Sequence, residues 1–417
     1  MSLLLLHSRN QGLVRPGLAA FYDFDKRNLL QRSEEFGNAI WGSGSVTSDA
    51  AVSPRGDQTA DQISDASAVA ASAFAQSVPV QSSAATYTFS VFVKKDQDET
   101  RFPELRIQPK GGTAEPLTAG QLNTKTGAYE IRAGSGSMTV SDAESYWRVS
   151  LSETDTASGN TQVECSILPA FTDVLGGTEN VELTGSVTVW GAQLNQGSTA
   201  LAYEKTDNNQ TLIDVSGQAK HGQLGSTTGA DTNDPLWTNR RLSFSGVDDY
   251  LLTPSEVTSG AAALTLQIVF KKTIGSATSV QRALFGHNAG GSYIRFFSDT
   301  TIGFWLVASV SSQFIQGPAG AITDDGLWKM MTFRWNSGTV QDQFLNKSDR
   351  LVFNDTNPSD GTHTSTYRTI GMYDTSRYFD GEIASALCYR RLLTRAEVAQ
   401  NYVWLKSTLA RRGIALA

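Results

Sequence analysis

The sequence is poor in the residues that hold metal ions and form disulfide bonds. It contains two cysteines, Cys165 and Cys388, and four histidines among 417 residues. Two cysteines so far apart allow one long-range disulfide, but two buried free thiols are the favoured interpretation. This scarcity excludes a disulfide framework and a cysteine-based zinc site, and no histidines stand at metal-binding spacing.

Long apolar runs and an excess of positive charge are also missing. The formal net charge is −7, which argues against a broad phosphate-binding surface and so against nucleic acid as a partner. No stretch approaches the roughly 18 apolar residues of a membrane helix. The apolar run at 3–6 is too short for a signal peptide and lacks a basic start. We therefore expect no membrane insertion and folding in a cytoplasm.

Short alternating segments make up most of the chain and indicate β-structure. Residues 87–93, YTFSVFV, alternate strictly between the two sides of a strand and are aromatic or β-branched. Further strands of this kind are predicted at 163–168, 185–190, 264–270, 293–297, 329–335 and 343–345. The sequence thus predicts an all-β fold.

One helix is predicted near the C-terminus. Thr394 can cap the backbone N–H of Glu397, whose side chain can reach back to Thr394. Leu393 and Val398 are spaced as a hydrophobic staple across this start, and Gly413 is a stop signal. The helix is expected over about 394–412, packed on the outside of a sandwich. The alternative is that it docks on a neighbouring subunit.

Motifs for catalysis are absent from the sequence. There is no nucleophile elbow between a strand and a helix and no phosphate-binding loop. A glycan-cleaving hydrolase, the enzymatic alternative, needs two converging carboxylates. The adjacent pairs Asp248-Asp249 and Asp324-Asp325 lie in turn contexts, where neighbouring side chains tend to point apart. We therefore expect a protein that is not an enzyme.

The segment 28–206 resembles a jelly-roll domain recurrent in phage structural proteins and similar to carbohydrate-binding modules. The resemblance lies in its opening, NLLQRSEEFGNAIW at 28–41, and in its closing motifs, WGAQLNQG at 190–197 and AYEKT at 202–206. Between them stand TYTFSVFVKK and YWR at the expected relative positions. This implies one antiparallel sandwich over 28–206.

The segment 207–417 resembles a laminin-G-like, concanavalin A-like domain. The matching motifs are DVSGQAKHG at 214–222, LSFSGVDDY at 242–250, FDGEI at 379–383 and YRRLLT at 389–394. The resemblance implies a second antiparallel sandwich, closed by the C-terminal helix. It also brings the expectation of lectin-like glycan binding.

The first strand of that second sandwich stands far from the rest of it. Domains of this type open with a strand similar to GLAAFYDF, found here at 17–24. Residues 1–27 are thus interpreted as an N-terminal arm carrying that strand, with the jelly roll inserted in the following loop. Exposed loops tolerate such insertions when the inserted ends lie close together. The alternative is a tandem arrangement with 1–27 as an extended arm.

Two sets of residues are candidates for binding. Trp41, Trp237 and Tyr250 are the carbohydrate candidates, whereas four other tryptophans in strand patterns are assigned to the core: Trp147, Trp190, Trp328 and Trp335. For Trp41 and Trp237, packing is the favoured alternative. Laminin-G-like domains often hold calcium at a rim, which makes Asp214, Asp248 and Asp249 candidate ligands and calcium the candidate ion. The favoured alternative is that these carboxylates cap turns.

These resemblances lead to a functional hypothesis. We expect a bacteriophage virion surface structural protein, either decorating the capsid or forming part of a tail fibre or spike, assembled in the host cytoplasm. Its expected partners are other virion proteins, further copies of itself and a host-surface glycan. Arg9 and Arg15 in the arm are candidates for contacting a neighbouring particle protein. A bacterial cell-surface lectin-like adhesin is the alternative.

Overall fold

In a computed structural model, the chain divides into two compact units. The structure describes residues 12–42, 44–208, 210–275, 281–287, 291–320, 322–346, 351–354, 358–364 and 368–417. Unit 1 combines the chain up to Asp25 with Gln210–Ala417, and unit 2 is Lys26–Asn209. Unit 2 thus interrupts unit 1 in the sequence. Arg9, predicted to contact a partner, lies outside the described residues.

Unit 2 is built from two antiparallel sheets. The first has six strands in the order β2-β3-β12-β5-β10-β9, and the second has five in the order β4-β11-β6-β7-β8. The bounds are β2 Ser45–Ala51, β3 Ala60–Asp65, β4 Phe74–Pro79, β5 Thr86–Lys94, β6 Phe102–Lys110, β7 Thr118–Leu122, β8 Tyr129–Ala133, β9 Ser137–Ala143, β10 Tyr146–Thr154, β11 Gln162–Thr172 and β12 Gly185–Gln196, with a short 3-10 helix at Ala39–Trp41.

Unit 1 is built from two larger antiparallel sheets and a small hairpin. Sheet A has the order β15-β16-β29-β18-β23-β24-β25, with β1 also paired to β29, and sheet B has the order β13-β14-β17-β26-β19-β20-β21-β22, while β27 pairs with β28. The bounds are β1 Leu18–Asp23, β13 Thr211–Leu212, β14 Gly222–Leu224, β15 Leu236–Thr238, β16 Arg241–Ser245, β17 Leu251–Leu252, β18 Ala263–Lys272, β19 Arg282–Gly286, β20 Tyr293–Ser298, β21 Thr301–Val307, β22 Ser312–Gln316, β23 Lys329–Asn336, β24 Val340–Leu345, β25 Leu351–Asn354, β26 Thr369–Ile370, β27 Met372–Tyr373, β28 Arg377–Tyr378 and β29 Asp380–Tyr389, with a 3-10 turn at Ser255–Val257.

The core of unit 1 lies between sheets A and B. Phe333 on β23 and Phe304 on β21 meet across it with ring centroids 5.7 Å apart. Phe270 on β18 and Phe296 on β20 meet at the same distance. Because successive side chains of a strand point to opposite faces, the residues between these core positions on sheet B must face away from the core.

The C-terminal helix covers the other face of sheet A. Helix α1 spans Arg395–Ala410, and Thr394 caps it with the predicted reciprocal bonds to Glu397. Its apolar side packs with Phe21, Val269 and Leu387 of sheet A. The predicted fold class, all-β antiparallel sandwiches with one C-terminal helix, is confirmed. No helix in the described part of the chain has the length and hydropathy to span a membrane.

The first strand of the chain joins unit 1. Strand β1 pairs with β29 from Asp23↔Ser385 to Leu18↔Tyr389, beyond the segment where β16 pairs with β29. The Asp214 carboxylate accepts the backbone N–H of Phe21 at 2.9 Å. The first strand and the segment that follows unit 2 in the sequence are thus tied together.

The opening and closing motifs of unit 2 are joined by hydrogen bonds. Asn28, fully buried, donates its side-chain amide to the carbonyls of Ala192 and Glu204 at 2.9 Å each. Thr206 donates its hydroxyl to the carbonyl of Leu30 at 2.6 Å. The motif residues at 28–41 and 190–206 therefore have a structural role, in which they hold the entry and exit of unit 2 together.

The two cysteines lie in different units. Cys165 is on β11 of unit 2 and Cys388 on β29 of unit 1, and both are buried and free. Burial raises the pKa of both thiols, that of Cys388 to about 12. The prediction of two buried free thiols is confirmed.

Candidate functional site

The outward face of sheet B in unit 1 is unusually rich in aromatic side chains. On β20, Ile294 and Phe296 point into the core and are fully buried. The alternate residues Tyr293, Arg295 and Phe297 are only partly buried and face outward. A solvent-facing strand surface of this kind usually carries polar residues. Two aromatic rings at these positions therefore indicate a role other than packing in the core.

The next two strands extend this surface. Trp305 on β21 stands opposite Tyr293 in the antiparallel register, and Phe314 on β22 stands opposite Trp305. The rings of Tyr293 and Trp305 are nearly parallel, at 15°, with centroids 6.4 Å apart. Phe314 is 37% exposed. These three rings form a row across three neighbouring strands.

A glycine leaves room for two of the rings. Gly303 faces outward beside Arg295 on the neighbouring strand. A Cβ at Gly303 would lie 2.5 Å from the ring of Phe297 and 3.0 Å from that of Phe314. Those two rings therefore lie over the glycine backbone, with centroids 5.2 Å apart. A larger side chain at this position would displace at least one of them.

The β27–β28 hairpin completes the surface. The ring of Tyr373 lies 4.5 Å from that of Tyr293, and the Arg377 guanidinium lies 5.7 Å from the Tyr373 ring. We call the five rings and their central arginine the aromatic face: Tyr293, Phe297, Trp305, Phe314, Tyr373 and Arg295. Exposed apolar surfaces rimmed by polar groups commonly mark binding sites.

Arg295 lies at the centre of the aromatic face. Its guanidinium carbon is 4.2 Å from the Tyr293 ring centroid, 4.6 Å from that of Phe297 and 5.3 Å from that of Tyr373. Burial lowers the pKa of the guanidinium from its usual value, and the positive charge of Arg377 adds to this. Arginine nevertheless remains charged at neutral pH. The site thus joins apolar rings with one partly desolvated positive charge.

The three carbohydrate candidates chosen from the sequence lie elsewhere. Trp41 is fully buried in unit 2, donates its indole N–H to the carbonyl of Arg32 at 3.0 Å and packs against Phe36. No ligand can stack on it, so Trp41 has the packing role that was the favoured alternative, and its place among the binding candidates is corrected. Trp237 packs against the core of unit 1 from edge strand β15. Tyr250 is half-buried just before β17, and neither residue belongs to the aromatic face.

The assignment of four tryptophans to the core holds for three of them. Trp190, Trp328 and Trp335 are buried. Trp147 is partly exposed and lies under the ammonium group of Lys95, 4.0 Å from its ring centroid. Its ring also lies against Gly127 in the loop between β7 and β8. The strand pattern alone did not reveal that this tryptophan sits at the margin of the core.

The three calcium candidates are not brought together as a metal site. Within the described ranges, no group of three carboxylate, histidine or cysteine side chains is placed to hold a metal. The carboxylate of Asp214 already accepts four hydrogen bonds, from the N–H groups of Phe21, Ser216 and Lys220 and from the Ser216 hydroxyl. Asp214 therefore acts as a turn cap.

The other two calcium candidates lie in the turn after β16. Asp249 accepts the backbone N–H of Ser245 within that turn. Burial raises the pKa of Asp249, and the nearby charges of Asp248 and Asp234 raise it further. Asp248 is only half-buried. A turn-capping role fits Asp249 as it fits Asp214.

The adjacent carboxylates Asp324 and Asp325, the second candidate pair for hydrolase chemistry, form ion pairs. Asp324 contacts Lys272 with an N–O distance of 2.7 Å, whereas Asp325 contacts Lys329. The two neighbouring carboxylates therefore serve different lysines. This arrangement holds the loop between β22 and β23 against β18 and β23.

Comparison with known proteins identifies the fold of unit 1. The family model of the concanavalin A-like lectin/glucanases superfamily, Laminin_G_3, matches residues 244–399. This segment is thus similar to that superfamily, and unit 1 has the concanavalin A-like fold that its motifs predicted. The matched segment contains the whole aromatic face. No curated protein matches the sequence.

Several solved structures of carbohydrate-binding and receptor-binding domains are similar. The botulinum neurotoxin type G receptor-binding domain has 14% identity over 46% of this chain and 48% of that chain, with a TM-score of 0.34. Domain 4 of an arabinanase from Geobacillus stearothermophilus, in complex with arabinotriose, has 16% identity over 45% and 91%, with a TM-score of 0.36. A carbohydrate-binding module of a Ruminococcus gnavus sialidase, bound to sialyllactose, has 14% over 34% and 83%, with a TM-score of 0.28. The chain spans about half the length of the neurotoxin chains.

Proposed function

We propose that this protein binds glycans through the aromatic face. In this proposal it has no enzymatic activity, and it is a surface component of a bacteriophage virion. The observation that carries glycan binding is the collection of five aromatic rings around an arginine, four on the outward face of sheet B and one on the β27–β28 hairpin. The C–H faces of sugar rings pack against aromatic rings, while polar groups at the edge take the sugar hydroxyls. The lectin-like fold of unit 1 is consistent with this use.

A binding assay with matched variants tests the glycan-binding part. Full-length protein is screened on a glycan array, and the strongest ligand is then titrated by calorimetry. Phe314→Ala and Trp305→Ala should each weaken binding at least tenfold, or about 1.4 kcal/mol, because central aromatic residues dominate binding surfaces. The control is Tyr129→Ala, which removes a 45% exposed ring from unit 2. Equal affinities for all four proteins would refute the assignment.

The virion role is supported by the motifs of unit 2. Its opening and closing segments resemble those of a domain recurrent in phage structural proteins, and here they hold the entry and exit of the unit together. In this proposal other virion proteins and further copies of the chain are the partners, and the particle is its location. The glycan is then a host-surface molecule.

Labelling of intact particles tests the virion role. An antibody against 210–417 is applied to particles and viewed by electron microscopy. Label over the head supports a decoration or head-fibre role, and label at the tail tip supports a receptor-binding role. Label on a bacterial surface, with none on particles, would replace the virion hypothesis by the cell-surface adhesin.

A further inference from the structure

We propose that the ligand of the aromatic face is an acidic glycan, whose anionic group pairs with the guanidinium of Arg295. This inference rests on the proposed function, because it names the class of glycan that the same surface takes. Two anionic groups share the required chemistry, a carboxylate on the sugar ring and a sulfate ester. Each carries at least two negatively charged oxygens, which a guanidinium can bind through two parallel hydrogen bonds.

The first support is the way in which Arg295 is held. Three aromatic rings surround its guanidinium at 4.2, 4.6 and 5.3 Å, and the strand alternation directs the side chain out of the sheet. Cation–π contacts of this kind orient a guanidinium. Because the rings fix the position of the charge, it is preorganised for a ligand that lies on the same rings.

The second support is the lack of a counter-ion. Within the part of the chain that the structure describes, Arg295 makes no ion pair, and its Nε is buried without a hydrogen-bond partner. Its hydrogen bond to the Tyr293 hydroxyl is long, at 3.4 Å. Other arginines of unit 1 that are buried or partly buried have a carboxylate partner: Arg241 pairs with Glu382, Arg334 with Asp342 and Arg412 with Asp23.

The charge balance of the surface favours an anion. A partly desolvated cation without a counter-ion is costly, and an anionic ligand would recover part of that cost on binding. A second guanidinium, that of Arg377, lies 5.7 Å from the Tyr373 ring centroid, with Asp374 and Gln281 as its partners. An anion at Arg295 is therefore attracted by two positive charges and faces one negative charge.

Binding to matched neutral and acidic sugars tests the inference. The full-length chain is titrated with lactose, 3′-sialyllactose, 3′-sulfolactose and a galacturonate oligomer, at low and at moderate salt. At least one acidic sugar should bind tenfold or more tighter than lactose, and this advantage should shrink as salt screens the charge. The affinities for the two carboxylate sugars, compared with that for 3′-sulfolactose, show whether the site takes a carboxylate or a sulfate ester.

One substitution isolates the charge. Arg295→Met keeps the apolar stem against the rings and removes the guanidinium, and it should abolish the preference for acidic sugars while weak binding of neutral ones persists. Arg411→Met, which removes an exposed charge at the end of α1, is the matched control and should change nothing. Circular dichroism and the thermal midpoint confirm that both variants fold.

The remaining outcomes separate the two proposals. Glycan binding through the aromatic face without acidic preference, unchanged in Arg295→Met, overturns this inference and leaves the proposed function standing. No binding of any glycan overturns both. Self-association that sedimentation detects in the wild type, and that Phe314→Ala abolishes, would make the face a subunit interface and would also overturn both.

Discussion

Replacing Asn28 by alanine should destabilise unit 2 by roughly 3–5 kcal/mol, although the residue lies outside every strand. Its side chain donates to the carbonyls of Ala192 and Glu204, and its oxygen accepts the backbone N–H groups of Leu30 and Leu194 at 3.1 Å each. These four bonds use the full capacity of an amide side chain. Alanine leaves four backbone groups without partners, each at about 1–3 kcal/mol, and water entering the space offsets part of the sum.

Hydrogen exchange measures this loss locally. A chain of two units need not unfold in one step, so the exchange of peptides covering 26–33 and 190–206 is followed by mass spectrometry. The control is Gln58→Ala, which removes an exposed side chain with one hydrogen bond to the carbonyl of Asp49 and should cost less than about 0.5 kcal/mol. A loss below about 1 kcal/mol for Asn28→Ala would refute the structural role assigned to the motif.

Three further predictions address unit 1. Burial lowers the pKa of the His363 imidazole to about 4, whereas the pKa in the unfolded chain is near 6.5, so the unfolded chain binds a proton that the folded chain does not. In urea denaturation, the free energy of unfolding of unit 1 should therefore decrease by up to about 3 kcal/mol as the pH falls from about 6.5 to about 4. A free energy of unfolding that stays constant over this range would contradict the prediction. Thr394→Ala removes the capping box and should cost about 1 kcal/mol, seen as faster exchange in 395–410. Gly303→Val should push the Phe297 and Phe314 rings apart and weaken glycan binding without deleting a ring; unchanged affinity would show that their arrangement is not required.

The fold was largely predictable because its elements carry local signals. The alternation in 87–93 and in 293–297 reports a strand with one apolar side whatever surrounds it, and both became strands, β5 and β20. The capping box at Thr394 and Glu397 likewise acts within one turn of helix. Signals of this kind depend only on neighbouring residues, so they predict the element correctly without knowledge of the tertiary structure.

The aromatic face was not predictable in the same way. The pattern Tyr-x-Arg-x-Phe on β20 was visible, but which side of the strand meets the opposing sheet depends on the whole sandwich. The sequence predicts that Trp41 lies near a loop, yet its side chain packs against Phe36 and is completely buried. Trp305 and Phe314 became neighbours of Tyr293 only through the register of three strands. Exposure, unlike periodicity, is a property of the complete fold.

A crystal structure of the protein with its strongest array ligand shows whether the aromatic face is the binding site. We expect a sugar ring lying on Tyr293, Trp305 or Phe314, with an anionic oxygen about 3 Å from a nitrogen of Arg295. A sugar bound elsewhere in either unit, with the aromatic face empty, would contradict it.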